Sequence, residues 1–484
     1  MIHPNLIFFL PLMALALIFL ARKLPKLSNL DAKISTLFAF LFLIGSSGLI
    51  NISGATTLNL LPLPNGFSLA FLINSSKALL LLVLGIFWIL TSIHSNRYFT
   101  ILGDVRKSKF NILFLAIVTC LAGIILSKNL ITTFLFYQLI ALFLFLVAND
   151  FRGQQSNRSA KYFGIFILGT SSFFFLAMAL SFKLSGQIEF MQGGIFLENT
   201  RSMWKLSLTL FFYLAAIGTI AFVPFYLLFN NLYFLPSPAI IAVLTSFGFV
   251  SAVLLSQVIS EIFGIRLFAN IVDKINQNHL LTIFLALNLI SSAIWALLSK
   301  NLKQILTLLF FNQLIAILMA FLVIGLNAKK MELLILSFVL TQSLIFIVVG
   351  NINLYLKSVE NKSLNGIFYK IRLTILALIF ALFNLIGLTP AVGMAEKYWL
   401  FRDVINNGSA LIGAILIVNL LICLACIAKM IYPMLEISKE NYDEQSDSVG
   451  RVVEKDLRLI TPIIIIPAIL FSFAIPFVTN YFSY

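Results

Sequence analysis

The stretch Gly387-Leu388-Thr389-Pro390-Ala391-Val392-Gly393 lies in the middle of an apolar run that extends from residue 373 to 401. Flanks of that composition form a membrane-spanning helix, because a hydrocarbon core about 30 Å thick takes roughly 20 apolar residues. Proline between two glycines breaks the helix partway across. Unwound backbone at that depth persists only where it lines a protein interior or a wet cavity. A matching interruption, Gly218-Thr219-Ile220-Ala221-Phe222-Val223-Pro224-Phe225, falls inside the run 206–229.

Working outward from the two breaks, apolar runs predict fourteen helices near 5–21, 35–51, 78–94, 111–127, 129–148, 163–182, 206–229, 238–258, 280–298, 304–325, 332–350, 373–401, 409–428 and 459–480. The breaks fall on the seventh and the twelfth, five apart, and an odd offset reverses the direction in which a segment crosses the bilayer. Two inverted five-helix repeats are therefore expected, helices 4–8 and 9–13, with the breaks marking an ion path. The predicted fold is an all-α polytopic membrane protein of about fourteen transmembrane helices. It reads as one transmembrane domain, 1–484, made of N-terminal helices (1–110), a first repeat (111–258), a second repeat (279–430), a cytoplasmic loop (431–458) and a last helix (459–484).

Composition excludes a water-soluble globule, since 61% of residues are apolar and only 11% charged, with a mean hydropathy of +1.04. The run Leu6–Ala21 has no basic segment before it and no small-residue cleavage site after it, so it reads as a retained helix. A net charge of +15 suggests nucleic acid at first sight, but a membrane protein concentrates Lys and Arg in its cytoplasmic loops. With the N-terminus outside, 22 of the 33 basic residues fall in loops that this orientation makes cytoplasmic. Both termini are expected outside the cytoplasm, in a cell inner membrane, with no nucleic-acid partner. The mixed-charge stretch Glu436–Arg458 reads as a solvated cytoplasmic loop. Lys300 and Lys303 read as cytoplasmic anchors, and His3, His94 and His279 as interfacial residues near helix ends.

Cys120, Cys423 and Cys426 sit within apolar runs and read as packing residues, with no metal site implied. No dinucleotide glycine fingerprint, iron–sulfur cysteine set or flavin signature is present, so no cofactor and no catalytic site is expected in this chain.

Over roughly residues 70–435 the local sequences resemble the antiporter-like subunits of proton-pumping NADH:quinone oxidoreductase (complex I) and the large subunits of Mrp-type multisubunit cation/proton antiporters. The anchor is Gly387-Leu-Thr-Pro-Ala-Val-Gly-Met-Ala-Glu-Lys397-Tyr-Trp-Leu-Phe401, similar to that family's Gly-[Leu/Ile]-Pro-Pro pattern followed by a lysine. Asn301-Leu-Lys303-Gln-Ile-Leu resembles the segment before the tenth helix, and Pro224-Phe225 with Leu235-Pro236-Ser237-Pro238 resembles two further proline motifs. Asn129–Gln138 resembles the fifth helix.

The resemblance implies a proton relay of titratable groups at mid-membrane. Carried over by position, the terminal lysine is Lys397, beside Glu396. The fifth-helix glutamate falls on Gln138 and the seventh-helix lysine on Thr219. The eighth-helix lysine falls on the Gly248/Phe249 region, and the eleventh-helix pair on Phe338 and Gln342. Gln138, Thr219 and Gln342 hydrogen-bond and orient water but do not titrate near neutrality, so the relay is altered at most of its posts. Lys397 has a second reading as a snorkelling interfacial lysine near Arg402 and Asp403.

The function implied is proton or cation (H+ or Na+) translocation as a membrane subunit of an NADH:quinone oxidoreductase-type complex, beside other membrane subunits. A subunit of a multisubunit Na+/H+ antiporter and a non-conducting structural or assembly paralogue are the alternatives. No long lateral helix is expected after helix 14, which separates this chain from the distal complex I subunit that carries one.

Overall fold

Asparagine opens three of the long helices, where its side-chain oxygen satisfies a backbone N–H that has no partner within the first turn. Asn74 accepts from Lys77, Asn129 from Thr132 and Asn301 from Lys303. The computed structural model describes residues 4–23, 31–50, 56–62, 68–151, 157–196, 202–218, 230–276, 279–324, 328–356, 364–387, 393–406 and 410–436. Each of the first thirteen predicted runs carries a helix there, and the fold is an all-α multi-pass membrane architecture. The fourteenth run, nearly all of the Glu436–Arg458 stretch, Thr219, Pro224 and Pro390 lie outside the described residues.

The helices are α1 (Pro4–Lys23), α2 (Asp31–Leu49), α3 (Ser75–Leu102), α4 (Lys107–Leu126), α5 (Leu130–Asp150), α6 (Asn157–Ser185), α7 (Met203–Gly218) and α8 (Ser237–Phe263). They continue as α9 (Ile265–Ile275), α10 (Leu280–Leu298), α11 (Leu302–Met319), α12 (Ala328–Leu356), α13 (Arg372–Ile386), α14 (Gly393–Asn406) and α15 (Ala410–Leu435). α8 relaxes to π-helix over Ile241–Thr245 and Val258–Phe263.

The chain forms two compact units, one of residues 1–220 with 238–275 and the other of residues 221–237 with 276–484. In the first, α2 packs along α3, and α4 contacts α1, α3 and α5; α4 and α8 are its most enclosed spans, with 89% and 94% of their hydrophobic windows buried. Trp88 is sealed beneath α2, its indole N–H donating to Ser35 Oγ at 3.1 Å. At the far ends of α3–α5, Phe99, Phe110 and Phe151 interlock with ring centroids 5.3–5.6 Å apart. Beside them Arg106 clamps Asp104 through Nη2 at 2.7 Å, and those bonds hold the Asp104 carboxyl below its ordinary range.

Two elements were not expected. Thr56–Pro62 (β1) and Ser68–Ile73 (β2) pair as an antiparallel hairpin. Its backbone is tied to the α4–α5 turn through Lys128 N to Ala70 O (2.9 Å) and Asn129 Nδ2 to Ser68 O (2.7 Å). α9 is strongly amphipathic and turns Phe268, Ile271 and Val272 inward, leaving Arg266, Asp273 and Lys274 on its other side.

In the second unit α11 is enclosed along its full hydrophobic window, whereas only 33% of the α15 window is buried. α10 flanks α11 and α15, and α12 packs on α13. The expected break in the twelfth span is present: α13 ends at Ile386, Gly387 adopts the left-handed conformation (φ 87°), and α14 restarts at Gly393. Two placements differ from expectation. α3 runs past His94 to Leu102, so His94 is buried against Tyr98 rather than interfacial. Lys303 is only 6% exposed and donates to the Leu235 carbonyl at 3.4 Å, so it is an internal group and not a solvent-facing anchor.

Candidate functional site

Among the described residues, one side chain bridges the break between α13 and α14. Asn384, on the last turn of α13, donates Nδ2 to Thr341 Oγ1 of α12 and accepts the Gly393 N–H at 2.6 Å. The first N–H groups of a helix have no internal partner, and Asn384 supplies one from across the interruption. The two backbones approach so closely that a Cβ at Gly393 would lie 1.8 Å from the Asn384 carbonyl oxygen.

One turn into α14, Lys397 lays its stem over Gly387, where a Cβ would meet Lys397 Cγ at 2.4 Å. Lys397 is half-buried and borders a crevice shared with Asn312, Gln313, Asn419 and Cys423. Its water-accessible space of about 30 Å3 is room for about two waters.

The crevice walls are ordered by hydrogen bonds. Asn312 Nδ2 donates to Leu289 O (2.8 Å), Ser292 Oγ (3.0 Å) and Asn419 Oδ1 (2.9 Å), and Asn419 Nδ2 returns a bond at 3.3 Å. Gln342 Nε2 donates to Gln313 Oε1 at 2.9 Å. Among the described residues Gln313 Nε2 and Gln342 Oε1 then keep one donor and one acceptor without protein partners. An amide pair with one of each at its ends passes a hydrogen-bond chain on without itself titrating. Phe338 is buried against Phe310, 5.4 Å between ring centroids, and packs there.

The structure thus brings Lys397 together with Gln313, the partner of Gln342. Asn312, Gln313, Asn384 and Asn419 were not singled out from the sequence, although Asn312-Gln313 is a polar pair inside an otherwise apolar run. The Glu396 side chain and the Thr219 position are outside the described residues. Gln138 is half-buried on α5, and its neighbour Tyr137 donates to the Ala216 carbonyl of α7 at 2.7 Å. Gly248 and Phe249 are buried in α8. All three cysteines are buried and free.

Comparison with known proteins gives this geometry a context. Residues 127–424 match the family described as "NADH:quinone oxidoreductase/Mrp antiporter, TM". A curated relative, NADH-quinone oxidoreductase subunit N of Wolbachia sp. subsp. Brugia malayi (strain TRS), is 26% identical over 343 residues, 70% of each chain. Three solved assemblies contain a chain of the same fold. One is the archaeal membrane-bound sulfane sulfur reductase (16% identity, 99% of this chain and 97% of that one, TM-score 0.78). The second is respiratory complex I of Thermus thermophilus (18%, 97% and 98%, TM-score 0.71). The third is the Mrp complex of Dietzia sp. DQ12-45-1b (17%, 91% and 82%, TM-score 0.72). With well over half its length matched by the family and a multi-pass helical fold to go with it, this chain belongs to the NADH:quinone oxidoreductase/Mrp antiporter membrane family.

Proposed function

We propose that this chain is an antiporter-like membrane subunit of a proton-translocating NADH:quinone oxidoreductase-type complex. It sits in the inner membrane beside other membrane subunits and moves protons while electron transfer takes place in companion polypeptides. The observation that carries the reading is Lys397, a cationic side chain beside a helix break, bordering a polar crevice inside the second unit. An ionisable group inside a membrane protein is costly, and marks an ion path by default. The ammonium releases a proton to a water in the crevice and regains one later. Asn312, Asn419 and the Gln313–Gln342 pair orient the water that carries it.

Lys397→Ala is expected to reduce proton movement by the assembled complex about tenfold or more, with assembly on native gels unchanged. The uncharged side chains of Gln138, Thr219 and Gln342, at positions where the family's relay has titratable groups, favour a second reading as a non-conducting structural paralogue. That reading predicts the opposite result, unaltered translocation in Lys397→Ala.

The charge census supports an orientation with Glu436–Arg458 cytoplasmic and both termini outside. An impermeant thiol reagent added to intact cells should label Ser483→Cys and spare Ser446→Cys. The reverse pattern would invert the orientation.

A further inference from the structure

The first unit holds a buried pair of opposite charges that no relay position anticipates. Lys77, on the first turn of α3, places Nζ 3.8 Å from Glu261 Oε1 on α8, with side-chain exposures of 5% and 19%. We propose that Lys77 and Glu261 form a proton-exchange site, in which the Glu261 carboxylate takes a proton from hydronium and returns it to water under the control of the Lys77 charge. The inference extends the translocation reading above to a second site.

Four features separate this pair from a bridge that only holds helices together. A buried ion pair offsets its desolvation cost only with close geometry and full hydrogen bonding, and 3.8 Å is the outer limit of contact. Glu261 Oε2 is buried and accepts no hydrogen bond among the described residues. Glu261 lies on the π-helical turn Val258–Phe263, and such local widenings of a helix recur at functional sites. Its chain neighbour Ser260 lines a cavity of about 670 Å3 with Gly193, Phe196, Phe263 and Arg266, which brings solvent to this end of α8.

The surrounding groups set the charge balance. Lys77 gives a 2.6 Å hydrogen bond to the Ser127 carbonyl and lies 5.9 Å from the Phe190 ring. Gln257, one turn before Glu261, donates to Ile124 O (3.0 Å) while its Oε1 has no partner among the described residues. Close to this end of α8 are Lys128 and Glu189, which bridge each other at 3.0 Å, and Arg266 at the cavity wall. The packed elements also carry Asp273 and Lys274 further along α9, Arg97 towards the other end of α3, and Lys107 and Lys109 at the start of α4. Lys77 Nζ and Glu261 Oε1 lie 3.8 Å apart, so each is the other's nearest opposite charge. In the exchange, the hydronium O–H bond breaks, a carboxyl O–H bond forms, and water leaves. The pair goes from net neutral to net positive, which favours return of the proton. Removing the Lys77 charge makes the protonated form of Glu261 easier to hold.

Dicyclohexylcarbodiimide tests the site in native membranes containing the assembled complex, because it adds to a protonated carboxyl. The acid proton moves to a carbodiimide nitrogen as the carboxyl oxygen bonds to carbon, with no leaving group, and rearrangement fixes a stable acylurea. Mass spectrometry should find the adduct on Glu261 of the unmodified chain, falling at least fivefold from mildly acidic to mildly alkaline pH. In Lys77→Met the fall should move to higher pH. No adduct at any pH, or an adduct indifferent both to pH and to Lys77→Met, overturns the site. Because labelling is read independently of transport, a titrating adduct supports the site even if Lys397→Ala leaves translocation untouched and the functional reading fails.

Discussion

Replacing Gly393 with alanine is expected to destabilise the second unit by about 3 kcal/mol, combining overpacking with the loss of a buried hydrogen bond. The added methyl would fall 1.8 Å from the Asn384 carbonyl oxygen and 2.9 Å from its carbon, both backbone atoms that no rotamer change can move. Relief requires α14 to withdraw from α13, which stretches the 2.6 Å bond from Gly393 N to Asn384 Oδ1. Gly169→Ala on α6 is the matched control, with nothing within 4 Å of its would-be Cβ, and should be neutral or slightly stabilising on helix propensity. Thermal unfolding of the purified complex decides between them. Equal unfolding temperatures for the two variants would mean that the break is not closed by this contact.

Restoring charges at the altered posts of the first unit should show strong non-additivity. Gln138→Glu alone, or Thr219→Lys alone, puts an unpaired charge inside the membrane and should cost about 2.5–3.5 kcal/mol each. Tyr137 already reaches the backbone of α7 at Ala216, three residues before Thr219, and this supports α5 and α7 as facing helices. The double variant should therefore recover part of the loss, measured as folded yield in membranes. A double variant no better than the sum of the singles would mean the two positions do not face one another, and the positional mapping onto the family would fail at that point.

The spans were legible because a bilayer imposes a length and a composition that sequence reports directly, and the break at Gly387 because glycine and proline act through backbone alone. The hairpin was missed although Asn65-Gly66 between apolar flanks is a turn signal. Its strands are too short to register beside membrane-length runs. α9 escaped for a related reason: it is eleven residues long and four of them are polar, so a search for uniformly apolar segments passes over it. At the site, Lys397 stood out as a charge in an apolar stretch, and Gln342 through its position. Gln313 acquires its meaning only from the bond to Gln342, 29 residues away in sequence. Lys77 and Glu261 lie at the ragged ends of their runs, where one more charged residue looks like an interfacial one until the fold brings two together.

The distance of Lys397 from the helix break limits how the break could act on it. Taking Gly393 as a pivot, the lysine is four residues out and Asn406 thirteen. At a rise of about 1.5 Å per residue, a swing of about 10° carries the Lys397 backbone only about 1 Å but Asn406 about 3 Å. The ammonium thus sits near the still point of the lever. Any switching of proton access at this position has to come from rotation of the four-carbon lysine stem over the bare face of Gly387, with the far end of α14 as the part that registers strain from neighbouring elements.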